Sequence, residues 1–526
     1  MPETGHILGI EGTAWNLSAA VFGDDRIIAL YSSPYRPPSG GIHPREAAQH
    51  HAGEMKAVIS EVLTDPSAIK AVAFSQGPGL GPCLRTVATA ARAIAVSLGV
   101  PLVGVNHCVA HVEIGRWACG CDDPIVLYAS GANTQVLGYL GTRYRIFGET
   151  LDIGLGNGLD KFAQAKGMTH PGGPQIEALA REGDPISLPY TVKGMDLAFS
   201  GVVSAAQEAQ APLEDVCAGL QETAFSMCVE VTERALAHSG KDEVLLVGGV
   251  GANGRLQEML RTMCEERGAT FHVPERKFIG DNGAMIAYTG SLMLAAGQTL
   301  PVAESAVNPG YRSDEVVVGW RDAGADAAYA LADVMGGGSA RGAEAVVTSV
   351  GDDVLKQRLP KGYRTHSLDH RLILERTRVE ARMISAARAA GVRTPVIRDV
   401  TADTIRMERI EGALLKHVLT PEHIYDAGVC VGRLHGMGII HGDLTTSNVI
   451  ISDEVPVFID FGLSYRSDEI EPQGVDIHVL FQTLESTSSN AECLKDEFVR
   501  GYCMTFSGAA DVIKRVDEIH QRGRYL

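Results

Sequence analysis

No run of about 18 apolar residues occurs in the 526-residue chain, so no membrane-spanning helix is expected. Positive charge is scarce. Lys and Arg number 46 against 64 Asp and Glu, a formal net charge of −18. That balance excludes a globally basic nucleic-acid binder and leaves room only for a local basic patch. The 10 cysteines have no framework spacing, with only Cys119 and Cys121 close together. A disulfide-stapled secreted scaffold is therefore excluded, and reduced thiols are expected. The opening MPETGHILGIEG lacks a charged stretch followed by an apolar one. No secretory leader is expected, and the chain is read as cytoplasmic. What is abundant is glycine. The 59 glycines cluster beside short apolar segments, as tight strand-to-helix turns require.

The length suits about two to four domains, each able to bury a core. Residues 6–30 read as three strands with turns at EGT and GDD, and residues 124–150 repeat the plan. The echo predicts two similar α/β lobes. Segments 45–62, 86–98, 158–166, 213–239 and 283–297 have helical apolar spacing. The lobe pair ends near residues 308–320. Residues 322–345 turn to Ala, Gly and Asp, with GGG at 336–338, and read as a linker and the entry to a second domain. The boundaries are drawn at 1–322, a linker 323–339, and 340–526.

In the first domain His107 and His111 are four residues apart. On a helix that spacing puts both imidazoles on one face, roughly 6 Å apart at Cβ, which suits a shared metal. A metalloprotease needs glutamate directly after the first histidine, and Cys108 stands there instead. Asp281, between glycines in GDNGAM at an expected helix start, is the candidate third ligand. SGANT (130–134) is a turn of small residues whose N–H groups can approach a phosphate. GGVGANGRL (248–256), after the apolar strand 243–247, has a nucleotide-approach pattern. Asp160 and Lys161 in GNGLDK, and Gly173 with Glu177 in HPGGPQIE, add polar groups fit for ribose hydroxyls.

GIEGTAWNLSAAV, the HxxxH, YASGANT, GNGLDKFA, HPGGPQIE, FSG (199–201) and GGVGANGRL occur in an order that resembles the tRNA threonylcarbamoyladenosine synthase family. The resemblance covers residues 5–320 and implies a two-lobed actin-like, sugar-kinase-like ATPase fold. It implies transfer of threonylcarbamoyl from its adenylate to N6 of the adenosine 3′ to the anticodon, in tRNAs reading codons that begin with adenine. It further implies that His107, His111, Tyr128 and Asp281 hold one iron or zinc ion. Tyr128, Ala129, Ser130, Gly131 and Ala132, with Asp160, Gly173, Glu177 and Asn253, would bind the threonylcarbamoyl-adenylate. One departure is Ala132, where the family commonly has glycine; its methyl is tolerable only outside glycine-only backbone angles. His107, His111 and Glu11 remain open as the base that takes the amine proton.

The C-terminal domain carries HGDLTTSN (441–448) and DFG at 460–462. Its order is strand, strand, Lys356, a basic helix and then the catalytic loop. By the kinase template Lys356 meets the phosphates, Glu380 pairs with it, and Asp443 is the catalytic base. Asn448 and Asp460 would bind Mg²⁺, and Met407 and Glu408 would form the hinge facing adenine. GxGxxG is absent, so the ATP cover falls to Gly342, Ala343, Glu344, Ala345 and Val346; no APE follows DFG. With KGYR (361–364), these motifs resemble the small, RIO-like atypical serine/threonine kinase of the KEOPS complex, an α+β fold. The resemblance implies an ATPase or kinase using Mg-ATP that supports the tRNA-modifying half, with other small KEOPS subunits as partners.

Residues 356–393 hold ten Lys or Arg against three Asp or Glu, and are the candidate tRNA-contacting stretch, extended by Arg522 and Arg524. Two rivals stand against this bifunctional enzyme. One is a metalloprotease or small-molecule kinase in the N-terminal half; the other is a scaffold with a degenerate kinase. The missing HExxH glutamate opposes the first, and the retained Lys356, Asp443, Asn448 and Asp460 oppose the second.

Overall fold

The computed structural model describes residues 5–37, 41–322, 340–488 and 490–525. The expected linker at 323–339 and the side chains of Arg522 and Arg524 lie outside what is described. The chain divides into two units, Met1–Leu236 with Lys241–Ala327 and Ala237–Gly240 with Ala328–Leu526.

The N-terminal unit runs β1 (His6–Glu11), β2 (Asn16–Gly23), β3 (Arg26–Pro34), α1 (Pro44–Val62), β4 (Ile69–Gly77), α2 (Gly81–Leu98), β5 (Leu102–Asn106) and α3 (His107–Cys119). It continues with β6 (Ile125–Ala129), β7 (Thr134–Leu140), β8 (Arg143–Glu149), α4 (Leu155–Ala165), α5 (Gly173–Ala180), β9 (Val192–Lys193), β10 (Asp196–Leu197), α6 (Ser200–Glu208) and α7 (Leu213–Ser239). It closes with β11 (Glu243–Val247), α8 (Gly254–Arg267), β12 (Thr270–His272), α9 (Arg276–Ile279) and α10 (Gly283–Ala295). Both expected three-strand segments form. In the first, Asp24 and Asp25 take φ of 52° and 55°, the left-handed pair that a tight hairpin turn needs. Helix α2 begins five residues before the expected 86, because Pro82 sits in its first turn, where a missing N–H costs nothing.

The two sheets share one topology. The first has order β3-β2-β1-β4-β5, and the second, read from its far edge, β8-β7-β6-β11-β12. In each, an antiparallel meander of three strands continues into two parallel strands. Strand β2 is buried along its whole length and β6 likewise, as sheets covered on both faces require. The duplication makes α3, which follows β5, the counterpart of α10, which follows β12. Helix α3 packs on strands of both sheets, whereas α10 packs on the first sheet and on α3.

Helix α10 approaches the first sheet through glycine. A Cβ on Gly9 would lie 2.2 Å from the Ala287 nitrogen, and one on Gly283 would lie 2.5 Å from the Ala19 carbonyl carbon. Helix α7 is buried without a break from Val216 to Leu236, and its charges are paired, Arg255 with Glu222 at 2.6 Å among them.

The C-terminal unit contains β13 (Ala340–Arg341), β14 (Ala345–Val350), β15 (Asp353–Arg358), α11 (His366–Ala389), β16 (Ile397–Val400), β17 (Thr404–Glu408), β18 (Ala413–Leu414), α12 (Pro421–Gly436), β19 (Ile439–Ile440), β20 (Val449–Ser452), β21 (Val455–Phe458) and β22 (Tyr465–Arg466). Three helices follow, α13 (Ile470–Thr487), α14 (Ala491–Thr505) and α15 (Ala509–Tyr525). A five-stranded antiparallel sheet, β13-β14-β15-β17-β16, carries Lys356 and is backed by α11. Beyond it, Val431, Leu434, Phe458, Phe498 and Tyr502 form the core of a helical half.

The basic run at 356–393 is not one solvent-facing stripe. Lys356, Arg358 and Arg364 are buried and ion-paired, and Arg376 bonds Glu344 at 3.0 Å. Arg378, Arg382, Arg388 and Arg393 are exposed. The carboxylates Glu344, Glu380, Asp369 and Asp460 draw the others inward, which composition alone does not reveal.

Candidate metal and nucleotide sites

His107 and His111 occupy the first turns of α3, whose N-cap Asn106 accepts the Val109 N–H at 3.1 Å. Their ring centroids are 4.8 Å apart. Asp281 lies just ahead of α10, capped by Asn282. Its Oδ1 is 3.2 Å from His111 Nε2 and 3.6 Å from His107 Nε2. One ligand atom from each of the three residues falls within 4.8 Å of the others. The ligands thus come from matching places in the two halves. Tyr128, at the end of β6, is buried with its ring 5.3 Å from that of His111.

The donors fit a metal ion on a further observation. Glu11 Oε2 stands 3.2 Å from His107 Nδ1, on the far side of the ring from Asp281. A carboxylate in that place fixes the tautomer that points a bare Nε2 inward. Glu11 Oε1 accepts from Thr13 N at 2.8 Å and Thr13 Oγ1 at 2.6 Å. So Glu11, an open candidate for the base, is engaged in orienting His107. Burial works against charge on His107, but Glu11 and Asp281 outweigh it and raise its pKa to about 9. Burial likewise opposes ionised Asp281, yet His111 and His107 hold its carboxyl below the ordinary range. Cys108, in the place of a protease glutamate, is an inert thiol pushed up to about 12 by burial.

The small-residue turns converge beside this cluster. Gly248 has φ of 91°, and a Cβ there would lie 2.5 Å from the Ala129 oxygen, so the ends of β6 and β11 touch only through glycine. The start of α4 packs on the 130–132 turn, with Asn157 N donating to Gly131 O at 2.8 Å. Ala132 does not take a positive φ, so its methyl brings no strain. Asp160 Oδ1 accepts from Gly172 N at 2.6 Å, and an added Cβ on Gly173 would meet nothing within 4 Å. Glu177 Oε1 accepts from Gly254 N at 3.1 Å. Asn253 caps α8 through Arg255 N at 2.9 Å and donates to Gln221 at 2.9 Å. A 3₁₀ turn, Gly249–Ala252, stands between the double glycine and that helix.

In the C-terminal unit Lys356 Nζ bonds Glu380 Oε1 and Asp460 Oδ1, each at 2.6 Å. Burial opposes charge on Asp460, but Lys356 outweighs it and lowers its pKa to about 2. Burial and the Asp460 charge raise that of Asp443. Asn448 Nδ2 donates to Asp443 Oδ2 at 2.9 Å and to its carbonyl at 2.8 Å. Gly442 replaces the usual arginine at φ of 80°, where a Cβ would strike the Leu463 oxygen at 2.3 Å. Met407 and Glu408 end β17, and Glu408 Oε2 accepts from Val396 N at 3.0 Å. Gly342 N donates to Ala345 O at 2.9 Å, closing the turn 342–345, with Val346 already in β14.

Sequence reasoning missed Asp476, whose carboxylate accepts from His441 N at 2.7 Å and Gly442 N at 2.9 Å and so holds the catalytic loop. Its one signal was a lone acid in the apolar helical pattern VDIHVLF. Arg358, which bonds Glu344 at 2.7 Å and Glu380 at 2.6 Å, was not singled out either.

Comparison with known proteins gives two family matches, "tRNA N6-adenosine threonylcarbamoyltransferase" over residues 26–288 and "RIO domain" over residues 355–476. Relatives named "Probable bifunctional tRNA threonylcarbamoyladenosine biosynthesis protein" align along the full chain. The one from Methanoculleus marisnigri is 70% identical, covering 100% of this chain and 99% of the relative. Those from Methanocorpusculum labreanum and Halobacterium salinarum are 63% and 49% identical, covering 100% and 98% of the relative and 100% and 99% of this chain. The chain therefore belongs to the bifunctional tRNA threonylcarbamoyladenosine biosynthesis proteins, with an actin-like threonylcarbamoyltransferase domain fused to a RIO kinase-like domain.

Proposed function

We propose that the N-terminal unit transfers threonylcarbamoyl from threonylcarbamoyl-adenylate to N6 of the adenosine 3′ to the anticodon of tRNA. The convergence of His107, His111 and Asp281 beside the 130–132 and 248–253 turns carries this reading. The donor is a mixed anhydride, so no protein nucleophile is needed. The N6 amine attacks the carbamoyl carbon, the C–N bond forms, the C–O bond to phosphate breaks, and AMP departs with the electron pair. The amine proton passes to solvent. His107, His111, Asp281 and Tyr128 would hold an iron or zinc ion, which would supply Lewis acidity toward the adenylate. Backbone N–H groups of the glycine turns face charge that develops on the adenylate. Asp160, Gly173, Glu177 and Asn253 position its nucleoside.

The C-terminal unit binds Mg-ATP and hydrolyses it or phosphorylates serine or threonine. Asp443 is the base, Asn448 and Asp460 hold Mg²⁺, and Lys356 meets the phosphates. Residues 342–346 cover the nucleotide, and Met407 and Glu408 form the hinge. The two enzymes occupy residues 1–322 and 340–526, joined through 323–339, and act in the cytoplasm with other KEOPS subunits. No helix among the described residues is long and apolar enough to cross a membrane.

Supplying threonine, bicarbonate, ATP, unmodified tRNA and an adenylate-forming enzyme, with nucleoside mass spectrometry as the readout, tests the transfer. Modified adenosine that requires His111 supports it; unmodified tRNA with partner subunits present rejects it.

A further inference from the structure

The turn that should cover ATP in the C-terminal unit is poorly suited to phosphate. Gly342 is its one glycine, and Glu344 adds a carboxylate. That carboxylate is taken up by two cations, Arg358 at 2.7 Å and Arg376 at 3.0 Å. Arg358 follows Lys356 by two positions on β15, so both side chains leave the same face of the strand. They share Glu380, which receives Lys356 on Oε1 and Arg358 on Oε2, each at 2.6 Å. The Arg358 side chain is 4% exposed. A Cβ placed on Gly462 of the DFG motif would lie 3.0 Å from Asp460 Oδ1, 3.4 Å from Arg358 and 3.5 Å from Lys356 Nζ. The guanidinium thus stands where the metal aspartate and the phosphate lysine meet.

We propose that Arg358 is a second phosphate-binding cation of this site, held by Glu344 in the free protein and transferred to the terminal phosphates of a nucleoside triphosphate. The proposal rests on the Mg-ATP reading above. A Mg-bound triphosphate carries about two net negative charges, and Lys356 supplies only one positive charge. Arginine offers two parallel donors that match phosphate oxygens, which glycine-rich backbone N–H groups do in other kinases. Release from Glu344 leaves Arg376 on that carboxylate, so the cover turn is not left with an uncompensated charge.

Calorimetric titration of the full chain with Mg-ATP, Mg-ADP and adenosine tests this. The step lost in Lys356→Met belongs to the C-terminal site and separates it from nucleotide binding in the other unit. At that step Arg358→Met is expected to weaken Mg-ATP by about ten- to a hundredfold, Mg-ADP by less, and adenosine by less than about twofold. Arg358→Lys keeps the charge without the fork, so it should recover part of the affinity, and it guards against misfolding of the Met variant. Glu344→Gln should tighten Mg-ATP severalfold, because the arginine no longer leaves a carboxylate. If Arg358 only braced α11, Arg358→Met would weaken ATP and ADP equally and Glu344→Gln would not tighten either; that pattern overturns the proposal. Unchanged ATP affinity in Arg358→Met also overturns it while leaving the Mg-ATP site intact. If Lys356→Met loses no step, the Mg-ATP reading itself fails and takes this proposal with it.

Discussion

At the residue scale, the N-terminal site is a set of side chains whose charges make sense only together. His107 stays in one orientation because Glu11 holds its Nδ1, and Asp281 stays ionised because two imidazoles face it. Asp281→Ala is expected to strip the metal, read by elemental analysis, and to reduce modified adenosine at least a hundredfold. Glu11→Ala should keep all three donors yet weaken metal affinity by about ten- to a hundredfold, as the loss of an orienting carboxylate does. His51 gives a pH test. It is fully buried on α1, and burial with the neighbouring His50 lowers its pKa from 6.5 to about 4. A histidine depressed on folding stabilises above its unfolded pKa, and that stability is lost as pH falls from about 6.5 toward 4. The shift corresponds to about 3 kcal/mol. His51→Gln should flatten the loss, measured as amide-exchange protection of α1 between those pH values.

At the element scale, α10 decides whether Asp281 reaches the histidines. It lies on the first sheet through Gly9 and Gly283, where no side chain fits. Gly9→Val must push the helix away. The expected cost is about 3 kcal/mol or more, seen as a lowered Tm, with a matching fall in metal content. In the C-terminal unit α11 carries Glu380 to Lys356. Glu380→Gln should lower phosphate release from ATP by about ten- to a hundredfold, because Lys356 and Arg358 both lose the carboxylate that positions them. These elements were legible to differing degrees. The strand meanders and the span 213–239 follow from periodicity and turn chemistry, whereas the helix bearing HxxxH was not among the segments with helical apolar spacing. The start of α2 was not legible, since Gly81 and Pro82 look like loop until their helical continuation is seen.

At the scale of the whole molecule, a chain of net charge −18 must bind tRNA through local cations. The basic run offers fewer than its composition suggests, because Lys356, Arg358, Arg364 and Arg376 are committed to carboxylates. Reversing Arg376 would disturb the fold as well as the surface, because it pairs with Glu344. Reversing the exposed Arg378 and Arg382 to Glu is the cleaner test. The expected result is a loss of tRNA affinity of about tenfold and a shallower salt dependence, measured by filter binding from low to moderate salt.

Local order along the chain is enough to read which chemistries are present: two histidines at helical spacing, glycine turns after apolar strands, and an ordered set of kinase-like residues. It also determined the duplicated strand pattern, because alternation and turn residues act over a few positions. Only in the folded chain does Asp281 meet His107 and His111, Glu11 stand against His107, Arg358 share Glu380 with Lys356, and Asp476 bond the backbone of His441 and Gly442. Those contacts join residues 22 to 174 positions apart, set by helix-on-sheet packing and by the pairing of buried charges. No local pattern in the chain encodes either.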